Sequence, residues 1–407
     1  MQKSSGRGFY RAGLPVTARL HGHIIRRPPP VGVETGDSQN ATREETEMIY
    51  VGLDVHKKYS KVGLFDPATG ELSDLGDVPS RPEAIGQTLS GIAAPKCVVL
   101  EAGRSSHFLA AALEPLAEEV WIVDPAQVRA LQKQSAKTDV RDAAAMAFWA
   151  AKGALKPIWR PAAATLDLRE LTRGKTALVR LATRVRCMLR SLLARHGYEC
   201  PARDLLSQKA QTWLEGVTLG GYAGLMLATL RGLLPILQQA ADQFEEPIEK
   251  AAAQHMGAQR LMTIPGIGPF LGLALAVEID DVHRFASPRK LRGYSGLDPR
   301  VIQSGPRDSR GPLTKRGNRW LRYAAVLASQ RMAAMRQADP KLKRSFLNVA
   351  FRRGRNPAKV HCARLLLDLC HHLLLHEEAY QPRPTTDSHY QPAGRRASHV
   401  GHAPSTA

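Results

Sequence analysis

The sequence predicts an α/β domain, then a long helix, then a mainly α-helical domain. Three observations predict this order. Short β-branched apolar runs alternate with helical segments over residues 48–160, the pattern of a partly parallel sheet covered by helices. Leu171, Leu178, Val185 and Leu192 then recur seven apart within 165–196, with Leu181 and Met188 at the intervening d positions. That is the seam of a coiled-coil-like helix, although Gly174 also falls at a d position. From 197 to 378 the patterning is helical and broken by Gly and Pro. A chain of 407 residues holds about two or three domains.

Residues 1–47 are rich in Gly, Pro, Arg, Ser and Thr and read as a disordered basic arm, or as residues ahead of a true start at Met48. Ile49 to Val55 is a first strand and carries Asp54 at its end. Tyr59 to Phe65 alternates as a second strand. Asp66-Pro67-Ala68-Thr69-Gly70 is a turn into a third strand, Glu71 to Val78. A helix from Pro82 to Leu89 precedes the strand Lys96 to Glu101, which again ends in a carboxylate. Ser105 to Leu116 reads as helix, Glu119 to Asp124 as strand, and Pro125 opens a helix. Lys137 to Lys152 reads as one further helix and closes the 48–160 domain. The helix over 165–196 is strongly basic. Residues 197–260 read as a helical linker region, 261–378 as a C-terminal domain, and 379–407 as a disordered tail.

Charge narrows the function. Lys and Arg number 57 against 37 Asp and Glu, a formal net charge of +20. Such a chain seeks a polyanion, nucleic acid before an anionic membrane. No apolar run reaches the roughly 18 residues of a membrane span. The best, Ile264 to Ile279, is broken by Pro265, Gly266, Gly268 and Pro269. The Met1 end has no apolar signal core, and five cysteines form no CxxC pair, so the expectation is a cytoplasmic protein with no membrane partner.

Two apolar strands end in acids, Asp54 and Glu101, and ligands of open α/β sheets collect at such ends. Asp139 and Asp142 stand three apart at a helix start and share one face. Together these residues make a four-carboxylate cage, with Asp124 as the alternative fourth member. Carboxylates packed this way repel unless cations sit between them. Mg2+ prefers hard oxygen ligands, and a pair of such ions about 4 Å apart stabilises the attacking and leaving oxygens of phosphodiester displacement. The plainer readings are a helix N-cap for Asp139 and strand-end turn residues for Asp54 and Asp124.

These segments carry a resemblance. Val51-Gly52-Leu53-Asp54-Val55-His56-Lys57, Glu101-Ala102-Gly103 and Lys137-Thr138-Asp139-Val140-Arg141-Asp142-Ala143 resemble the N-terminal domain of insertion-sequence DEDD transposases. That domain is similar to RuvC, the Holliday-junction resolvase, and the resemblance implies an RNase H-like fold whose four acids hold Mg2+. Ile264-Pro265-Gly266-Ile267-Gly268 looks like a helix-hairpin-helix turn, whose backbone N–H groups at Gly266 and Gly268 can sit on a phosphate. Tyr294-Ser295-Gly296-Leu297-Asp298-Pro299, Gln303-Ser304-Gly305 and the run Thr314 to Arg322 resemble the serine-bearing C-terminal domain of the same enzymes. The resemblance spans about 48–335. It implies a prokaryotic, nucleoid-associated transposase acting on DNA, recombination guided by a noncoding bridge RNA, and strand exchange by a dimer or tetramer.

Eleven basic residues lie between Arg284 and Arg322, opposed only by Asp298 and Asp308. Arg300, Arg307, Arg310, Lys315, Arg316, Arg319 and Arg322 read as a phosphate-contacting surface. Within it Ser304 is a candidate nucleophile, its hydroxyl activated by neighbouring cations and by metal. Ser295 and Ser309 rival it on chemistry alone; the family pattern favours Ser304. His56 is a weaker substrate contact, His371 and His372 have no acidic partners for a metal, and Trp159 and Trp320 either stack on bases or pack in a core. The rival functions are a junction nuclease that uses water, and a nucleic-acid-binding protein without catalysis.

Overall fold

A computed structural model describes residues 48–134, 142–304, 307–335 and 339–382. The chain divides into two compact units, one up to Ile158 and one from Trp159.

In the first unit β1 (Ile49–Val55), β2 (Tyr59–Phe65) and β3 (Leu72–Pro79) form an antiparallel meander. The turn from β2 to β3 is closed by the Asp66 side chain, which accepts from the Ala68 N–H at 2.9 Å, and by Gly70 at φ +72. After α1 (Pro82–Ser90), β4 (Lys96–Glu101) pairs parallel to β1. After α2 (Ser106–Leu113), β5 (Glu119–Val123) pairs parallel to β4. The helix expected to run to Leu116 tightens into a 3-10 turn at Glu114–Leu116, because Pro115 cannot donate to an α-helical ladder. Then follow α3 (Pro125–Gln134) and α4 (Asp142–Ala151), and the sheet order is β3-β2-β1-β4-β5. The helix expected from Lys137 is described from Asp142 onward; residues 135–141, Asp139 among them, lie outside the described residues.

Helices cover both faces of the parallel strands, which accounts for their unbroken apolar runs. Val51, Leu53, Val98, Leu100 and Ile122 pack on Ile85, Leu89, Leu109 and Leu113. Cys97, Val99 and Val123 pack on Val128, Met146 and Ala150. The α4 helix lies on the sheet backbone to backbone. A Cβ at Gly52 would stand 1.9 Å from the Ala143 carbonyl oxygen, and one at Gly63 would stand 2.2 Å from the Ala144 nitrogen.

The second unit begins with α5 (Ala163–Arg195), followed by α6 (Gln208–Glu215), α7 (Gly221–Asp242), α8 (Glu245–Gln254), α9 (Met256–Met262), α10 (Pro269–Ile279) and α11 (Pro288–Ser295). An antiparallel hairpin of β6 (Pro299–Ser304) and β7 (Arg307–Leu313) leads to α12 (Arg319–Ala334), α13 (Pro340–Arg353) and α14 (Arg355–Leu375).

The α5 seam differs from the heptad in the sequence. Ala182, Val185, Leu189 and Leu192 are the residues buried against Leu227, Leu230 and Leu234 of α7. Leu181 and Met188 are 50% and 38% exposed. Val185 and Leu192 keep their places, but the neighbour lies on the flank of Ala182 and Leu189, and the partner is a helix of the same chain. Gly174 admits the ring of Phe244, to which a Cβ would come within 2.9 Å.

The apolar run at Ile264 to Ile279 resolves into a tight turn and α10, whose residues Leu271 to Ile279 are all buried. A helix apolar on every side belongs in a core. No helix among the described residues is long and apolar enough to cross a membrane. The one charge on this helix, Glu278, is buried too. It accepts from Arg173 Nε at 2.7 Å and Nη2 at 2.9 Å, and from Asn318 Nδ2 at 2.7 Å. Arg169 Nε lies 3.7 Å away and donates to the Val277 carbonyl at 2.8 Å.

These contacts set the expected stability of three variants. Gly52→Ala forces α4 off the sheet and will lower unfolding free energy by about 3 kcal/mol or more. Gly103→Ala, whose Cβ meets nothing closer than 3.9 Å, will change it by less than about 0.5 kcal/mol. Glu278→Ala strands two arginine charges in the interior and will cost about 3–5 kcal/mol. Urea denaturation of the three variants checks all of these.

Candidate active site

The parallel strands β1, β4 and β5 end at one edge of the sheet. Leu53 pairs with Leu100 and Glu101 with Val123, so Asp54, Glu101 and Asp124 follow at the carboxyl ends of three adjacent strands. Asp142 opens α4, which is held on β1 and β2 through Gly52 and Gly63.

Electrostatics shows that these carboxylates are neighbours. Partial burial, and next the negative charge of Asp54, push the Glu101 carboxyl above the ordinary range. Asp124 and Asp142 add to the effect, and Arg129 opposes it. Asp142 Oδ1 accepts from Gln132 Nε2 at 3.2 Å, and Asp54 Oδ2 stands 3.1 Å from His56 Nε2. His56 also stacks on Tyr59, with ring centroids 4.9 Å apart. Arg129 and Gln132 were not singled out in the sequence. The signal was available, since both fall three apart on the helix that starts right after Asp124.

The donor set suits a hard divalent cation: carboxylate oxygens only, with the Glu101 carboxyl raised by burial and by the charges beside it. Among the described residues no three acidic, His or Cys side chains are drawn together as a finished metal site.

In the second unit Ser304 ends β6, paired in register with Arg307 across the hairpin, and Ser309 sits on β7 opposite Ile302. For residues 301–310, which include Arg307 and Arg310, only the strand register is described. The third serine is accounted for: Ser295 is fully buried and its hydroxyl donates to the Arg292 carbonyl at 2.6 Å, next to the left-handed cap Gly296.

Arg300, Lys315, Arg316 and Arg319 are exposed. Arg322 instead turns inward and donates from Nη1 to the Ser295 carbonyl at 2.8 Å. Gly266, at φ +92, backs onto Met332 and Met335, whereas nothing stands within 4 Å of a Cβ at Gly268. Trp320 is surrounded by the guanidiniums of Arg173, Arg180 and Arg319 at 5.0–5.9 Å. Trp159 donates to Asp280 at 2.7 Å, with Arg284 over its ring. His371 is buried with Nε2 3.0 Å from the Phe285 carbonyl oxygen, and His372 stacks on His376.

Two family models match the chain. One, described as transposase of the IS116/IS110/IS902 family, covers residues 258–346; the other, a DEDD transposase model of the IS110 type, covers residues 51–197. The transposase for insertion sequence element IS1111A of Coxiella burnetii is 26% identical over 315 residues, 72% of this chain and 82% of that protein. The transposase for insertion sequence element IS1328 of Yersinia enterocolitica is 27% identical over 233 residues, 57% of this chain and 70% of that protein. The first model spans the buried α10 and the basic segment after β7, and the second spans the acid-bearing sheet and α5. By both halves of its sequence, the chain belongs to the insertion-sequence DEDD transposases of the IS110 type, enzymes of DNA transposition.

Proposed function

We propose that this transposase joins and cuts DNA through a covalent serine intermediate, using Mg2+ held by Asp54, Glu101, Asp139 and Asp142. The observation that carries the reading is the meeting of Asp54, Asp124 and Asp142 charges on Glu101 at one sheet edge. Bound Mg2+ would neutralise the phosphate and polarise its oxygens.

The chain's own groups do the rest. Ser304 Oγ attacks the scissile phosphorus as its proton leaves. The Oγ–P bond forms, the P–O bond to the deoxyribose breaks, and the departing oxygen takes up a proton. A DNA hydroxyl then displaces the serine, so the phosphoester bond energy is kept. Exposed Arg300, Lys315, Arg316 and Arg319, with Arg307 and Arg310 on the same hairpin, would hold the phosphates. Gly268 at the turn before α10 offers a further backbone approach. The partners would be element-end and target DNA, a noncoding guide RNA bound through the same basic surfaces, and further copies of the chain as a dimer or tetramer. The net charge of +20 supports a polyanion partner of either kind, and the family's pattern is what favours the RNA.

A denaturing gel with element-end DNA, target DNA, flanking RNA and Mg2+ tests the chemistry. Wild type should give a DNA–protein adduct. Ser304→Ala should abolish it, and Asp54→Ala should reduce it at least about 100-fold. Free cleaved ends that persist in Ser304→Ala would mean that water attacks. Glu101→Gln removes a charge from the crowded edge. In chelator at neutral pH it should melt above wild type, because a carboxyl whose pKa is raised by folding costs stability while ionised. With Mg2+ added, wild type should gain stability and the variant should gain less.

A further inference from the structure

A cavity of about 730 Å³ lies between the end of β7 and the helices α13 and α14. Its volume falls in the range of small-ligand sites. Leu313, Val349 and Val360 supply apolar wall, and Arg352, Arg353 and Arg364 supply charge. No carboxylate lines it. The Arg353 side chain has no hydrogen bond or ion pair among the described residues, and the Arg352 side chain spends only its Nε, on the Asn348 carbonyl at 3.2 Å. Arg364 is anchored by Asp298 at 3.3 Å, while its buried Nε makes no hydrogen bond. His361 stands in the wall with Nε2 2.8 Å from Ser345 Oγ.

We infer that this cavity receives one unpaired nucleotide of a DNA or RNA strand, its phosphate on Arg352 and Arg353 and its base between the His361 imidazole and the aliphatic walls. The chemistry selects that ligand. A cation-lined mouth over an apolar interior matches an anionic group attached to a flat apolar ring. Guanidinium forks take phosphate oxygens in pairs, and guanidinium and imidazole planes stack on bases. A base inside a duplex has both faces covered by its neighbours, so only an unpaired or extruded base enters a cavity. The position is apt. Leu313 of the wall pairs with Pro299 at the base of the hairpin, and Ser304 lies five residues up the same strand, about 17 Å away. The held nucleotide would fix the strand at a distance from the scissile phosphate. The inference rests on the nucleic-acid reading and involves neither the acids nor the serine.

The test is fluorescence anisotropy of the full chain with a labelled single strand, as DNA and as RNA, and with a labelled duplex of the same sequence. Arg353→Ala removes the unpartnered charge. Asn356→Trp, at an exposed rim position of the cavity, blocks the mouth without entering the core. Both variants should weaken binding of a single strand about fivefold or more and leave duplex binding within about twofold. Loss on the DNA strand, the RNA strand or both identifies the source. Equal loss on single strand and duplex, or unchanged single-strand binding with both variants, overturns the inference. Failure of wild type to bind any of the three probes would instead sink the nucleic-acid reading itself.

Discussion

The acid-bearing edge depends on the absence of two side chains. Gly52 on β1 and Gly63 on β2 let α4 rest directly on the strand backbones, with Ala143 and Ala144 as the touching residues. A helix normally packs on a sheet at the distance its side chains set. Here both surfaces are stripped, and the helix start is fixed against the strand that carries Asp54. Ala147, one turn on, continues the small surface, its nitrogen 3.1 Å from where a Cβ at Gly52 would stand. Asp142 is therefore placed by backbone contacts. That rigidity is what a carboxylate needs if it is to stay close to others that repel it.

Glu278 plays the matching part in the second unit. One buried carboxylate receives a bidentate arginine from α5 and the amide of Asn318, and a second arginine lies alongside. Asn318 uses its other side-chain atom to accept from the Trp320 and Leu321 N–H groups and so caps α12. The network thus joins α5, α10 and the point where the basic segment Thr314 to Arg319 enters helix. A buried charge without these partners would be costly, so the three elements are held in one arrangement. The cations of that basic segment hang from a fixed support, and Trp320 collects three of the surrounding guanidiniums.

The charge distribution suits the enzyme's work. The chain carries an excess of basic residues that suits a DNA partner, while Asp54, Glu101, Asp124 and Asp142 are acids gathered at one sheet edge. Burial first, and then the charges of Asp54, Asp124 and Asp142, push the Glu101 carboxyl up at that edge.

Much of this was legible in the residues themselves. Strand ends at Asp54 and Glu101 show as apolar β-branched runs stopping at an acid, because alternation with helices forces such strands to be buried on both faces. The succession of α/β part, long helix and helical part, the apolar run of α10 and the basic segment around Ser304 show in composition and period. Tertiary structure decided what depends on which side a neighbour approaches. It put Ala182 and Leu189, not Leu181 and Met188, into the α5 seam, since both sets satisfy a helical period and only the position of α7 chooses between them. It buried Ser295, turned Arg322 inward, and assembled Arg352, Arg353, Arg364 and His361 around one cavity with the distant Leu313. A local pattern specifies an element and its apolar face; which partner covers that face, and which charged side chains are left pointing outward, is set by long-range packing that no spacing along the chain encodes.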